Sequence, residues 1–202
     1  MTVLWDVDTQ VDFMLPHGKL HVRGAEETVP AMRRLVEAAR AAGIVHVASA
    51  DDHELTDAEI AAEPDFRTSY PPHCLRGTRG ARKIPETEQE DPVPLTLELL
   101  PDHYLEGREF LILKKHFDVF TNPNTQWLLE RLDPDRIVVF GVATDVCDDA
   151  AIRGFLERGI KVTFVEDAAR GLDDDRVATC TASWREQGVE FTTSEGAIAL
   201  LG

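Results

Sequence analysis

A cysteine, a lysine and several acidic residues stand where apolar runs of this chain end. The clearest run, Ile137-Val138-Val139-Phe140, passes through Gly141-Val142-Ala143 and Thr144-Asp145-Val146 to Cys147 and a helical pattern. Cys147 therefore falls in the first turn of a helix. The positive end of the helix dipole favours a thiolate there, and the thiolate is the nucleophilic form. Free backbone N–H groups in the same turn can hold an oxyanion. The competing reading is a small buried hydrophobe. Asp148 and Asp149 oppose thiolate formation, so a nucleophilic Cys147 requires a cation nearby.

Three further groups sit at strand ends. Asp6, Asp8 and Asp12 surround Gln10 after the first run, and a carboxylate at a strand mouth is placed to act as a general base. A loop-capping turn is the alternative for any one of them. Lys114-Lys115-His116 follows another run and offers the cation, or else a solvated edge. Asp51-Asp52-His53 follows a third run, and His73 lies in Tyr70-Pro71-Pro72-His73-Cys74. One Asp with two His suits zinc, iron or manganese with open positions. Seven histidines in the chain make such a grouping easy to meet by chance.

These residues need a scaffold that gathers strand ends. Apolar runs at 3–7, 44–48, 110–113, 136–140, 161–165 and 189–193 alternate with helical patterns. The helical patterns fall at 25–42, stopped by Gly43, and at 124–132, 145–158 and 173–187; Ser194 is placed to cap a last helix through Leu201. This order predicts a three-layer α/β/α, Rossmann-like fold with a six-stranded, mostly parallel sheet. Ligands of such sheets bind beyond the carboxyl ends of the strands. Residues 51–108 form an irregular excursion long enough to be functional. Nothing else breaks the pattern, so residues 1–202 read as a single domain carrying that insertion.

Composition narrows the partners. With 202 residues, about 70% of the unfolded surface can be buried, so no disulfide framework is needed. The net charge of −16 repels nucleic acid. No apolar stretch approaches the roughly 20 residues that span a bilayer. The N-terminus has neither a basic region nor a long apolar one, so no signal peptide and a cytoplasmic location are expected. Three scattered cysteines are an odd number, which makes one reactive thiol worth seeking.

Five ordered motifs carry a resemblance that spans essentially the whole chain. They are Asp8-Thr9-Gln10-Val11-Asp12-Phe13, its continuation Leu15 to Leu20, then Asp51-Asp52-His53, Pro71 to Thr78, and Gly141 to Cys147. The sequence resembles the isochorismatase-like cysteine hydrolases, in their nicotinamidase/pyrazinamidase branch. The resemblance implies a catalytic Asp8, Lys114 and Cys147, with Lys114 chosen over Lys115 by its six-residue spacing to Phe120. It implies an oxyanion hole from the N–H groups of Ala143 and Cys147, a cis bond between Val142 and Ala143, and one divalent metal on Asp51, His53 and His73. Zinc is the first choice of metal, with iron or manganese as alternatives. Phe13 and Tyr70 would flank the substrate ring.

The implied reaction cleaves a small carboxamide to acid and ammonia through a thioester, in a homo-oligomer, a dimer or tetramer. Alternatives are a carbamoyl or maleamate-type amide, an isochorismatase-type ether, or a silent binding protein on the same fold. Tyr70 stands where the family's nicotinamidases commonly carry Trp. Phe117-Asp118-Val119-Phe120 replaces a Tyr-Ser-Gly/Ala-Phe pattern, and Asp148 replaces an apolar residue. Val119 is thereby expected to add bulk to the far wall of the substrate site. These departures point to another amide or a widened specificity.

Overall fold

The computed structural model describes residues 1–100 and 107–202. The tail of the 51–108 excursion, 101–106, lies outside the described residues. Strand β1 (Thr2–Val7) is buried on both faces: Val3, Trp5 and Val7 join one apolar cluster, and Leu4 joins the other. That is why it reads as a continuous apolar run rather than an alternating one. A four-residue helix α1 (Val11–Met14) follows, then a 3-10 turn at Ala25–Glu27 and helix α2 (Val29–Ala42). The expected helix over 25–42 thus begins as a separate turn, because Pro30 fits only the first turn of a helix. Gly43 ends α2 with φ 66°, as its position suggested.

The remaining elements are β2 (Val45–Asp51), β3 (Val93–Leu95), β4 (Glu109–Lys114), α3 (Pro123–Leu132), β5 (Arg136–Val142), α4 (Cys147–Glu157), β6 (Lys161–Arg170), α5 (Asp174–Glu186), β7 (Glu190–Thr192) and α6 (Ser194–Leu201). The sheet order is β3-β4-β2-β1-β5-β6-β7, and every pairing is parallel. Seven strands replace the expected six. The addition, β3, lies inside the excursion as an edge strand, where Pro94 is tolerated because one side needs no partner. Helix α6 is capped by Thr193 instead of Ser194; the Ser194 hydroxyl donates to Asp167.

Helices α2 and α6 cover one face of the sheet, and α3, α4 and α5 cover the other. Trp5 anchors the second layer, edge-on to Phe155 with ring centroids 4.7 Å apart. No helix of the described residues is long and apolar enough to cross a membrane. The strand order reverses at β1, so β1, β2, β4 and β5 deliver their carboxyl ends to one crevice.

Candidate active site

Four strand ends meet at the ammonium of Lys114. Strand β4 alternates, so Lys114 turns inward with no exposure while Lys115 turns out to Asp57. Lys114 Nζ lies 2.8 Å from Asp8 Oδ2, ion-pairs with Asp51 Oδ1, and reaches Cys147 Sγ at 3.8 Å. Asp8 sits one residue beyond β1 with φ 50°, a left-handed conformation that costs a non-glycine residue about 1–3 kcal/mol. Two bonds to β2 hold it there. Its N–H donates to the Ser49 carbonyl (3.2 Å), and its Oδ1 accepts from the Ser49 hydroxyl (2.7 Å).

Burial decides the charges. It pulls the Lys114 ammonium down, but Asp51 and Asp8 outweigh it and leave its pKa well above the ordinary value. Burial raises Asp8; Lys114 opposes this and Asp51 adds to it. Burial also pushes the Cys147 thiol well up, with Lys114 opposing and Asp8, Asp51 and Glu59 reinforcing. These neighbours favour the thiol form of Cys147, against the pull of the helix dipole.

Cys147 is the first residue of α4, and its N–H is not bonded to the Ala143 carbonyl one turn back. Val146, the residue before it, supplies no side-chain cap. The Ala143 carbonyl instead takes the N–H groups of Val146 and Asp148 (2.9 and 3.1 Å). The Val142–Ala143 bond is cis. Gly141, at φ 139°, is required because a Cβ there would lie 2.1 Å from the Val7 carbonyl oxygen.

Asp51, His53 and His73 come together, and Glu59 joins them. Their four ligand atoms lie within 4.8 Å of one another. Gln10 fixes Asp51 by its backbone, accepting from its N–H (2.7 Å) and donating to its carbonyl (2.8 Å). The His73 Nδ1 is 2.7 Å from the Pro71 carbonyl, and the His53 Nδ1 is 3.3 Å from Asp57. Those contacts leave Nε2 of each ring facing Asp51, and the His53 Nε2 has no hydrogen-bond partner among the described residues. Two imidazole nitrogens presented this way beside two carboxylates fit a divalent ion. Asp52 points elsewhere, to Arg76 on the surface. Asp12 is structural: its carboxylate accepts the N–H of Cys74 and of Lys19, pinning the loop that carries His73.

Phe13 and Tyr70 line a narrow cavity above Cys147, closed further by Val146 and Leu172. It holds about 20 Å³, room for little more than one water. Val119 is not there. It sits in the 3-10 turn Val119–Thr121, is 1% exposed, and packs in the apolar cluster with Leu128 and Phe155. Phe117 and Phe120 line the outer cleft beside the cavity, while the Phe117 N–H donates to Glu59.

Glu59, Gln10 and Ser49 escaped the sequence reading. Glu59 lies in a stretch rich in acidic residues, and only its burial sets it apart. Asp148 is equally buried, and neither of its carboxyl oxygens meets a well-formed hydrogen bond among the described residues. Burial pushes its pKa well up, Asp8 and Asp145 add to this, and Thr144 offsets part. The folded protein thus keeps a proton on Asp148 that the unfolded chain releases above about pH 4. Stability from this group is whole below that pH and is lost as pH rises toward the folded pKa. Asp148→Asn is expected to raise the melting temperature by several degrees at pH 8 and to change it little at pH 4. Equal shifts at both pH values in a thermal melt would refute the buried neutral acid.

Comparison with known proteins supplies the family. Residues 2–196 match the isochorismatase domain family. The nicotinamidase/pyrazinamidase of Mycobacterium tuberculosis is 27% identical over 195 residues, covering 96% of this chain and 100% of that protein. The nicotinamidase of Escherichia coli is 25% identical, covering 83% of this chain and 82% of its own. The crystal structure of the Pyrococcus horikoshii pyrazinamidase in complex with zinc superposes with a TM-score of 0.75 at 22% identity, covering 95% of this chain and 98% of that one. The chain belongs to the isochorismatase family.

Proposed function

We propose that this protein is a cysteine amidohydrolase that converts a small carboxamide to its acid and ammonia. The observation that carries this reading is the buried Lys114 ammonium, which touches Asp8, Asp51 and the Cys147 sulfur at once. The curated nicotinamidase relatives support an amidase acting on a C–N bond.

Asp8 takes the proton of the Cys147 thiol as the sulfur attacks the amide carbonyl. Lys114 keeps Asp8 ionised beforehand and offsets the charge moving onto sulfur. The N–H groups of Ala143 and Cys147 receive the tetrahedral oxyanion. Asp8 returns the proton to nitrogen, ammonia leaves, and a thioester remains. Water, deprotonated by Asp8, then releases the acid and restores the thiol.

Asp51, His53, His73 and Glu59 would hold one divalent ion, zinc by the donor set. Bound there, the ion would supply a Lewis acid for a ring nitrogen or a water. Phe13, Tyr70 and His73 offer faces to a flat ring, which favours a nicotinamide-like substrate. Ammonia release should be measured from nicotinamide, pyrazinamide, a carbamoyl amino acid and maleamate. Turnover of at least one is expected, and turnover of none sinks the proposal. With Val119 in the core, Val119→Gly is expected to lower stability rather than to widen the substrate site.

Protein purified without chelator is expected to carry about one divalent ion per chain, and His53→Ala to lose it. The same variant should raise KM more than it lowers the melting temperature. Elemental analysis giving wild-type metal content in His53→Ala would exclude this site.

A further inference from the structure

A second buried ion pair lies beneath Asp8, and the reaction does not call on it. Lys83 Nζ is 2.9 Å from Asp6 Oδ1, with side-chain exposures of 7% and 0%. Asp6 is on β1, two residues before Asp8. Lys83 comes from the long excursion and is bridged to Gln10 in antiparallel fashion. The other oxygen of Asp6 accepts from the Thr9 hydroxyl at 3.0 Å, and the Thr9 hydroxyl lies 2.6 Å from that of Thr87. The ring of His46 stands 3.8 Å from the same oxygen.

Lys83 Nζ also donates to the Ser49 carbonyl at 3.2 Å. That carbonyl is the acceptor of the Asp8 N–H, and the Ser49 hydroxyl donates to Asp8 Oδ1. One residue thus grips Asp8 at two points, and Lys83 grips that residue.

Burying an ion pair is a poor way to gain stability, since apolar side chains of similar volume often serve as well or better. Orientation is the better account. The last torsion of an aspartate is broad, so a carboxylate without a fixed donor samples many planes. With Oδ1 tied to Ser49, Oδ2 is left to Lys114, whose Nζ also reaches the Cys147 sulfur. We infer that Ser49 is a positioning residue that aims Asp8 Oδ2 at the Cys147 thiol, and that the Asp6–Lys83 pair holds Ser49 in place to do so. This rests on Asp8 being the base of the proposed amidohydrolase.

The test compares kcat and KM on nicotinamide, or on whichever carboxamide of the panel turns over fastest. Ser49→Ala is expected to lower kcat about tenfold with KM nearly unchanged, because a misaimed base hurts the chemical step and not binding. Ser49→Thr, which keeps the hydroxyl, is expected to restore kcat to within about twofold of wild type. The double variant Asp6→Leu with Lys83→Met should melt no lower than wild type yet lose kcat to a similar degree. Adding Ser49→Ala to that background should cost little more, because the changes act through one carboxylate.

Wild-type kcat in Ser49→Ala overturns the inference, as does failure of Ser49→Thr to rescue. Should the apolar double variant not fold, the two Ser49 variants still decide the matter. Asp8→Asn separates the layers: if it keeps turnover, the base assignment falls and takes this inference with it. A dead Asp8→Asn beside a fully active Ser49→Ala removes the positioning role alone.

Discussion

Cys147→Ala is expected to abolish ammonia release, with kcat falling by at least about 10⁴-fold, while the fold stays intact. The size follows from the covalent step. Without sulfur there is no thioester, and only the oxyanion donors and binding remain to help water attack directly. Stability should change little. The side chain is small, it sits at the edge of a cavity, and its removal leaves the Lys114 pairs with Asp8 and Asp51 in place. A loss of about 1 kcal/mol, or roughly 2–4 °C, is expected.

Cys74→Ala and Cys180→Ala should keep most turnover. Cys74 packs in the apolar cluster with Phe13 and Ile84, and Cys180 lies on α5 against the other cluster. Neither lines the cavity above Cys147. Steady-state ammonia assays with thermal melts on the three variants make the comparison. Wild-type turnover by Cys147→Ala would sink the covalent mechanism outright.

Lys114→Met should do what Cys147→Ala does not, destroying both activity and stability. Lys114 is the cation between two fully buried carboxylates, those of Asp8 and Asp51. Removing one partner of a buried ionic group leaves uncompensated charge, at a cost of about 3–5 kcal/mol. For a chain of this length that is a fall on the order of 10 °C in melting temperature. Activity should fall at the same time, because Asp8 would hold a proton and cease to be a base. Lys115→Met is the control. Its ammonium is partly exposed beside Asp57, so its loss should cost less than about 1 kcal/mol. Lys114→Met with wild-type turnover would remove Lys114 from the mechanism. A stable but inactive Lys114→Met would show that metal or water compensates the two carboxylates instead.

The contrast between these lysines shows where the sequence stops. Two adjacent lysines after an apolar run are indistinguishable by composition, and the choice of Lys114 rested on a family spacing. In the structure the two differ plainly, because the alternation of β4 turns Lys114 inward and leaves Lys115 partly exposed. Val119 shows the opposite outcome. Its motif position suggested the substrate wall, but a 3-10 turn rotates it into the core, and a local turn of that kind leaves no periodic trace.

The sequence dictates the layered parallel fold, because strands buried on both faces must be written as continuous apolar runs between helical patterns. It also determined that Asp8, Asp51, Lys114 and Cys147 would stand at strand ends. Strand β3 was hidden by Pro94 and its three-residue length. How those strand ends are partnered was settled by the folded chain. It placed Glu59 beside Asp51, hung Asp8 on Ser49, set Lys83 under both, and left Asp148 without an ion-pair partner among the described residues. The reason is physical: whether a buried carboxylate is a base, a ligand or a neutral acid depends on burial and on charges a few ångströms away. Those neighbours come from strands and loops tens of residues apart, so their distances exist only once the chain is folded.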